Sequence, residues 1–130
     1  MGVDVDAQAH RVADDVRRIG RQCAATLGIA ERWTGAKVEV VGDWCGPAYG
    51  ETDPSTEEAI HLAARLEGLA LDPVYSGKTM AGLIGLARQG RFQGGPVVWI
   101  HTGGSPGIFA YPTTMARSAG LTSTHGSISE

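Results

Sequence analysis

The sequence predicts an α/β layered architecture, with a short parallel sheet flanked by helices. Three observations carry this expectation. Segments of helical and strand periodicity alternate in the order helix, strand, helix, helix, strand, helix, as in layered α/β folds. One strand candidate, "GPVVWIHTGG", is a continuous apolar run bounded by glycines, as a strand covered on both faces requires. The chain has 130 residues, 42% of them hydrophobic and 19% charged, enough for one domain with a packed core. Only two strands are convincing, and a two-stranded parallel sheet makes a poor independent domain. The chain therefore reads as a partial three-layer αβα arrangement, a piece of a larger sheet.

Apolar side chains at Val5, Ala9, Val12, Val16, Ile19, Cys23 and Leu27 recur at spacings of four and three, which predicts a helix over 5–27. Asp4 or Asp6 is placed to cap its start and Gly28 to stop it. Cys23, on that stripe, reads as a small buried hydrophobe. "KVEVVGD" (37–43) is a strand running into a turn, and "WCGPAYGETDP" is a Gly/Pro-rich loop. "STEEAIHLAARLEG" opens with a capping box, Ser55 with Glu58. It continues with Ala59, Leu62, Ala63 and Leu66 on one face before Gly68 ends it.

"LALDPVY" is extended, because Pro73 disfavours helix at Asp72. "GKTMAGLIGLARQG" returns to helix. There Met80, Leu83, Ile84 and Ala87 share a face, Gly82 and Gly85 permit close packing, and Gly90 is the stop. After the second strand, Ser105 is the expected N-cap of a last helix and Pro106 its first residue. Residues 112–130 are rich in Ser, Thr and Gly without an apolar pattern, so a folded portion over 1–111 and a flexible tail over 112–130 are expected.

Composition narrows the function classes. Formal net charge is −3, and the eleven basic residues form no patch beyond Arg17, Arg18 and Arg21, which argues against a nucleic-acid partner. No apolar run is long enough to cross a bilayer and no signal-peptide pattern opens the chain. A cytoplasmic protein without a membrane partner is expected. Cys23 and Cys45 lack zinc-ligand spacing and make no disulfide framework, so no metal is expected.

In open α/β sheets ligands sit beyond the carboxyl ends of the strands. Three loops lie there or lead into helices: "GDWCGPAYG", "HTGGS" and the turn carrying Tyr75 and Ser76. "HTGGS" is either an anion cradle at a helix start or a turn that needs glycine for its geometry, and Thr102 in it offers a neutral hydroxyl to a heterocycle. Tyr49 and Tyr75 are phenols in loops, able to bind a carboxylate or move a proton, or else rim aromatics that pack their rings. His101, ending the second strand, reads as a satisfied structural histidine, and His10, His61 and His125 as surface residues. Asp43 is a turn or capping acid. Lys78 is one of two lysines in the chain and stands at a helix start, where a cation opposes the helix dipole. It is either a catalytic amine in a desolvated site or a lysine whose amine reaches away to a partner.

Three stretches, "GPAYG", "DPVYSGKTMAGLI" and "IHTGGSPGIFAY", occur in an order and spacing that resemble the C-terminal part of a family of pyridoxal-phosphate enzymes. That family includes D-cysteine desulfhydrase and 1-aminocyclopropane-1-carboxylate (ACC) deaminase and has the tryptophan-synthase-β type of fold. The likeness runs from about residue 3 to residue 111. It implies that Tyr49 and Tyr75 are the catalytic phenols on the substrate side of pyridoxal phosphate. It also implies that Ser76, Thr102 and Gly103 bind the cofactor, one of the two hydroxyls meeting the pyridine nitrogen. The deaminase branch typically has Glu where this chain has Ser76 and Leu where it has Thr102, so both positions point to the desulfhydrase side. A neutral hydroxyl leaves the ring a weaker electron sink than a carboxylate does, adequate for α,β-elimination of a thiol. The implied reaction is D-cysteine plus water to pyruvate, ammonia and hydrogen sulfide.

The family's Schiff-base lysine and its phosphate loop lie upstream of the matched stretch and have no counterpart here, and Lys78 falls on a structural helix-start position. The resemblance therefore implies the last third of an enzyme, inactive by itself and without a covalent link to the cofactor. Its expected partners are the missing N-terminal portion or further copies of itself, and a small amino-acid substrate. Two other readings are a portion of an ACC deaminase and a non-catalytic interaction module built on the same half-fold.

Overall fold

The computed structural model describes residues 1–33 and 37–118. The chain opens with a strand, β1 (Gly2–Val3), followed by a long helix, α1 (Ala9–Thr26), and a second strand, β2 (Val40–Val41). The strands pair in parallel, Gly2 opposite Val40 and Val3 opposite Val41. This is a βαβ unit in which α1 is the crossover that a parallel pair requires. Two helices follow, α2 (Pro54–Glu67) and α3 (Ser76–Arg88), then a 3-10 turn over Ser105–Ala110 and a short helix, α4 (Pro112–Ser118). The result is a helix-rich α/β arrangement around a minimal parallel sheet, in agreement with the expected partial architecture.

The core forms where α2 meets the segment entering α3. Ile60, Ala63 and Leu71 are its buried centre, with Met80, Trp99 and Met115 packed around them. Glycines let α3 approach the β1 side of the molecule. A Cβ on Gly82 would come within 2.6 Å of Val3, and one on Gly85 would fall inside the indole of Trp44. Helix ends follow capping chemistry. Gly68 and Gly90 both take positive φ, 67° and 70°, beyond α2 and α3.

The structure corrects several expectations. Helix α1 begins at Ala9 rather than Val5, because residues 2–3 are drawn into the sheet and Asp4 donates its N–H to Val41 O at 2.8 Å. Neither Asp4 nor Asp6 caps the helix; Asp4 Oδ1 instead accepts the Asp6 N–H at 3.0 Å. Cys23 is exposed, not buried. The side of α1 that packs is made of Ala13 and Ala24, while Val12, Val16, Ile19 and Leu27 remain on the surface. The α2 cap is Asp53, whose carboxylate accepts the Thr56 N–H at 2.8 Å, with Ser55 donating its hydroxyl to the same carboxylate. Gly104, not Ser105, is the N-cap of the 3-10 turn.

The expected buried strand at 95–104 does not form a strand among the described residues, and His101 on it is exposed. A strand needs a neighbour for its ladder, and among the described residues none lies beside it. Residues 112–118, expected in the tail, fold as α4, and Arg117 of α4 pairs with Glu57 of α2 at 2.9 Å. The remainder of that tail, with His125, lies outside the described residues.

The Gly85–Trp44 contact is testable. Gly85→Val should cost about 1–3 kcal/mol through overpacking, read as a lower urea midpoint with an unchanged slope.

Candidate active site

Three loops converge at the start of α3. The first, 42–50, follows β2; the second, 71–75, enters α3; the third, 101–105, precedes the 3-10 turn.

Asp72 organises the second loop. It is buried, and Pro73 after it holds the chain out of helix until Ser76. One carboxylate oxygen accepts the N–H groups of Val74 and Tyr75, at 2.9 and 2.8 Å. The other accepts the N–H of Ser76 at 2.9 Å and its hydroxyl at 2.5 Å. Ser76 Oγ in turn accepts the Asp72 N–H at 2.8 Å. Four donors thus fill the lone pairs of one carboxylate, three of them the successive N–H groups of Val74, Tyr75 and Ser76 that lead into α3, and the Gly77 N–H bonds the Asp72 carbonyl at 2.8 Å. Burial pushes the Asp72 carboxyl up, but the bonds from Ser76, Tyr75 and Val74 outweigh it and hold the group below the usual carboxylate value.

The third loop lies on the same carboxylate. A Cβ on Gly104 would stand 2.5 Å from Asp72 Oδ1, and its φ of 91° excludes most side chains independently. Ser105 Oγ donates to Ala70 O at 2.9 Å, fixing the loop to the chain just before Asp72. His101 is engaged within the loop. Its Nδ1 accepts the Gly103 N–H at 3.0 Å, which in the neutral ring leaves the proton on Nε2, 3.4 Å from Ala70 O. Its ring meets Trp99 edge to face. Gly103 has φ 108° with open space where a Cβ would be, and Thr102 is exposed.

Lys78 organises the first loop. The side chain is fully buried, and Nζ donates to Cys45 O at 2.5 Å and to Ala48 O at 3.1 Å. Gly46 wraps the ammonium: its φ is 74°, and a Cβ there would lie 3.3 Å from Nζ. The amine reaches away from its helix to backbone carbonyls, and the alternative of a free catalytic amine loses its ground. The Lys78 charge also acts on Asp53. Burial raises that carboxyl, but bonds from Thr56 and Ser55 and the Lys78 charge together leave it lowered.

The folded first loop delivers Tyr49 to Tyr75. Their hydroxyls are in direct hydrogen-bond contact, with ring centroids 6.0 Å apart and planes at 66°. The hydrogen bond to Tyr75, followed by burial and by the neighbouring Tyr75 and Tyr111 phenols, raises the Tyr49 pKa above the ordinary phenol value. Tyr111 enters from a third direction, its hydroxyl 3.3 Å from where a Cβ on Gly50 would be. All three tyrosines of the chain therefore meet on one side of the site.

Of the residues singled out from sequence, the structure joins Tyr49 to Tyr75 and places Ser76 on Asp72, beneath the loop of Thr102 and Gly103. Gly103 has nothing within 4 Å of where its Cβ would be, and Thr102 is exposed. Sequence reasoning passed over Asp72, Gly104 and Tyr111. Asp72 had a readable signal, an Asp before Pro just upstream of a helix start. Gly104 and Tyr111 had none, because their roles arise from contacts between loops distant in sequence.

A parallel βαβ unit with helices packed around it defines a class, a partial α/β fold. The comparisons supply the family. The model of the family described as pyridoxal-phosphate dependent enzymes matches residues 2–103, and the chain belongs to that family. Among similar proteins is an ACC deaminase of Burkholderia multivorans, 39% identical over 117 residues, which are 89% of this chain and 35% of that protein. A D-cysteine desulfhydrase of Yersinia enterocolitica is 41% identical over 112 residues, 85% of this chain and 33% of its own length. The chain thus spans about a third of the length of the curated relatives it matches.

The residues present fit one side of pyridoxal phosphate. The exposed Thr102 hydroxyl and the open side of Gly103 are available to a heterocycle, whereas the Ser76 hydroxyl is buried on Asp72. Lys78 cannot serve as the cofactor's covalent anchor while committed to carbonyls, and Lys37, the other lysine, is exposed.

Two measurements check the site. Lys78→Met should destabilise the chain by about 3 kcal/mol, since two carbonyls lose charge-assisted bonds. Borohydride reduction of the wild-type chain with pyridoxal phosphate should leave the Lys78 peptide unmodified. In a spectrophotometric titration, one phenol should ionise above the usual range near 10, and Tyr75→Phe should return it to that range. The sign follows from the raised pKa: any stability Tyr49 contributes is present at neutral pH and lost as pH rises through its folded value.

Proposed function

We propose that the chain supplies the substrate-facing and ring-facing portion of a pyridoxal-phosphate lyase acting on D-cysteine, with the anchoring lysine and phosphate loop supplied by polypeptide outside these residues. The observation that carries this reading is the saturation of Asp72. The carboxylate nearest Ser76 already accepts four hydrogen bonds, so the groups left to meet the ring are neutral hydroxyls.

When bound, pyridoxal phosphate supplies an electron sink for bond breaking at the substrate α-carbon. Ser76 and Thr102 hold the ring edge, and Gly103 lets the loop approach it. Thr102 can do this as it stands, whereas Ser76 must first turn its proton away from Asp72. Hydroxyls do not keep a pyridine nitrogen protonated as a carboxylate does, so the sink is moderate and suits a substrate with a good leaving group such as a thiol. Tyr49 and Tyr75 are in hydrogen-bond contact through their hydroxyls on the open side of the site. One can orient the substrate carboxylate while the other carries the proton to or from the reacting carbon or departing sulfur. The overall change is D-cysteine and water to pyruvate, ammonia and hydrogen sulfide. The names of the relatives support both desulfhydrase and ACC deaminase chemistry, and residues 76 and 102 favour the first.

The test is complementation. This chain is co-expressed with the N-terminal two-thirds of the Yersinia enterocolitica relative and supplied with pyridoxal phosphate. Pyruvate should form from D-cysteine, and Tyr49→Phe and Tyr75→Phe should each lower kcat about 100-fold or more. Ser76→Glu should raise the ratio of 2-oxobutanoate from ACC to pyruvate from D-cysteine. Faster turnover of ACC by the unmodified pair would overturn the assignment.

A further inference from the structure

Residues 96–101, "PVVWIH", have the composition of a strand but no ladder. Val, Trp and Ile favour the pleated, half-buried surface of a sheet, and glycines bound the run on both sides. Among the described residues, no backbone–backbone hydrogen bond involves any of these six. Val97 is 48% exposed, and the segment is engaged through Trp99, which packs on the Ile60, Ala63 and Leu71 core. The residues that alternate with it are bare: Val98 is 83% exposed and Ile100 75%. An apolar segment docked through Trp99, with its outer face and its hydrogen-bonding edge open, is an incomplete sheet element.

The comparisons indicate what covers it. The family match runs through this segment, to residue 103, and the relatives are about three times as long as the stretch they share with this chain. On the reading above that the lysine and phosphate loop lie outside these residues, we infer that 96–101 is the docking edge for the polypeptide that carries them. That partner adds a β-strand along this edge and an apolar surface over Val98 and Ile100. Main-chain bonds supply affinity and the alternating side chains supply register, as in other strand additions.

The experiment needs no cofactor. The full chain is co-expressed with the N-terminal two-thirds of the Yersinia enterocolitica relative, and amide hydrogen exchange is followed in the complex and in the chain alone. A 1:1 complex should form in which the amides of 97–101 exchange about 100-fold more slowly than in the isolated chain. Val98→Asp with Ile100→Asp should weaken the complex about 100-fold. Because both residues are exposed, that variant should leave the urea midpoint of the isolated chain unchanged. Three results overturn the inference: failure of the two chains to co-purify, insolubility included; a complex in which 97–101 exchange as fast as before; or protection of 97–101 in the chain alone that rises with its concentration, which assigns the edge to a second copy. A docked, protected complex without turnover would sink the proposed lyase activity and leave the docking edge standing. Turnover with 97–101 unprotected would do the reverse.

Discussion

The site depends on a buried ammonium. Lys78 carries the charge of a surface residue into a position without solvent, and its Nζ ends on the carbonyls of Cys45 and Ala48. A charge so placed must be met by hydrogen bonds or it destabilises the fold. The loop after β2 meets it by wrapping its backbone around the amine, and Gly46 leaves the room to do so. That wrapping sets where Tyr49 emerges, and with it the contact to Tyr75. The same bonds explain why the amine is unsuited to covalent chemistry: its donors are spent on the protein.

Asp72 has the complementary role at the entrance to α3. Its carboxylate gathers the N–H groups of Val74, Tyr75 and Ser76, holds the Ser76 hydroxyl, and forms the floor on which the Gly103–Gly104 loop lies. A cation and an anion close together in the sequence thus fix three loops, and neither charge is left free to face the ligand. Among the polar groups left at the loop surfaces are the Thr102 hydroxyl and the Tyr49 and Tyr75 phenols.

Much of this was legible in the sequence, though not all. The helices α2 and α3 stand within one or two residues of their expected positions, because apolar periodicity and terminal glycines are local signals. The three stretches around Tyr49, Tyr75 and Thr102 indicated the family, and its model matches the chain. The first strand escaped notice because two residues carry no period, and Val3 stands directly before a run that reads as helix. The apolar stripe of α1 was visible, yet its burial was not. Period says which residues share a face but not whether anything covers it, and Val12, Val16 and Ile19 remain exposed. The segment 96–101 failed as a strand for a related reason: strand composition is a property of the segment, while pairing is a property of its neighbour.

By itself the sequence determined the element types, the residue kinds at the site and the family, all of which follow from local spacing and from motifs read in order. Only the tertiary structure decided which of those residues are spent and which are available. Lys78 and Ser76 stand two positions apart at one helix start. Nothing in their spacing says that the lysine is consumed by two carbonyls of the loop after β2 and the serine by the carboxylate of Asp72. That difference rests on where loops close in space and which donors find acceptors when water is removed, and such pairings are settled by the fold as a whole.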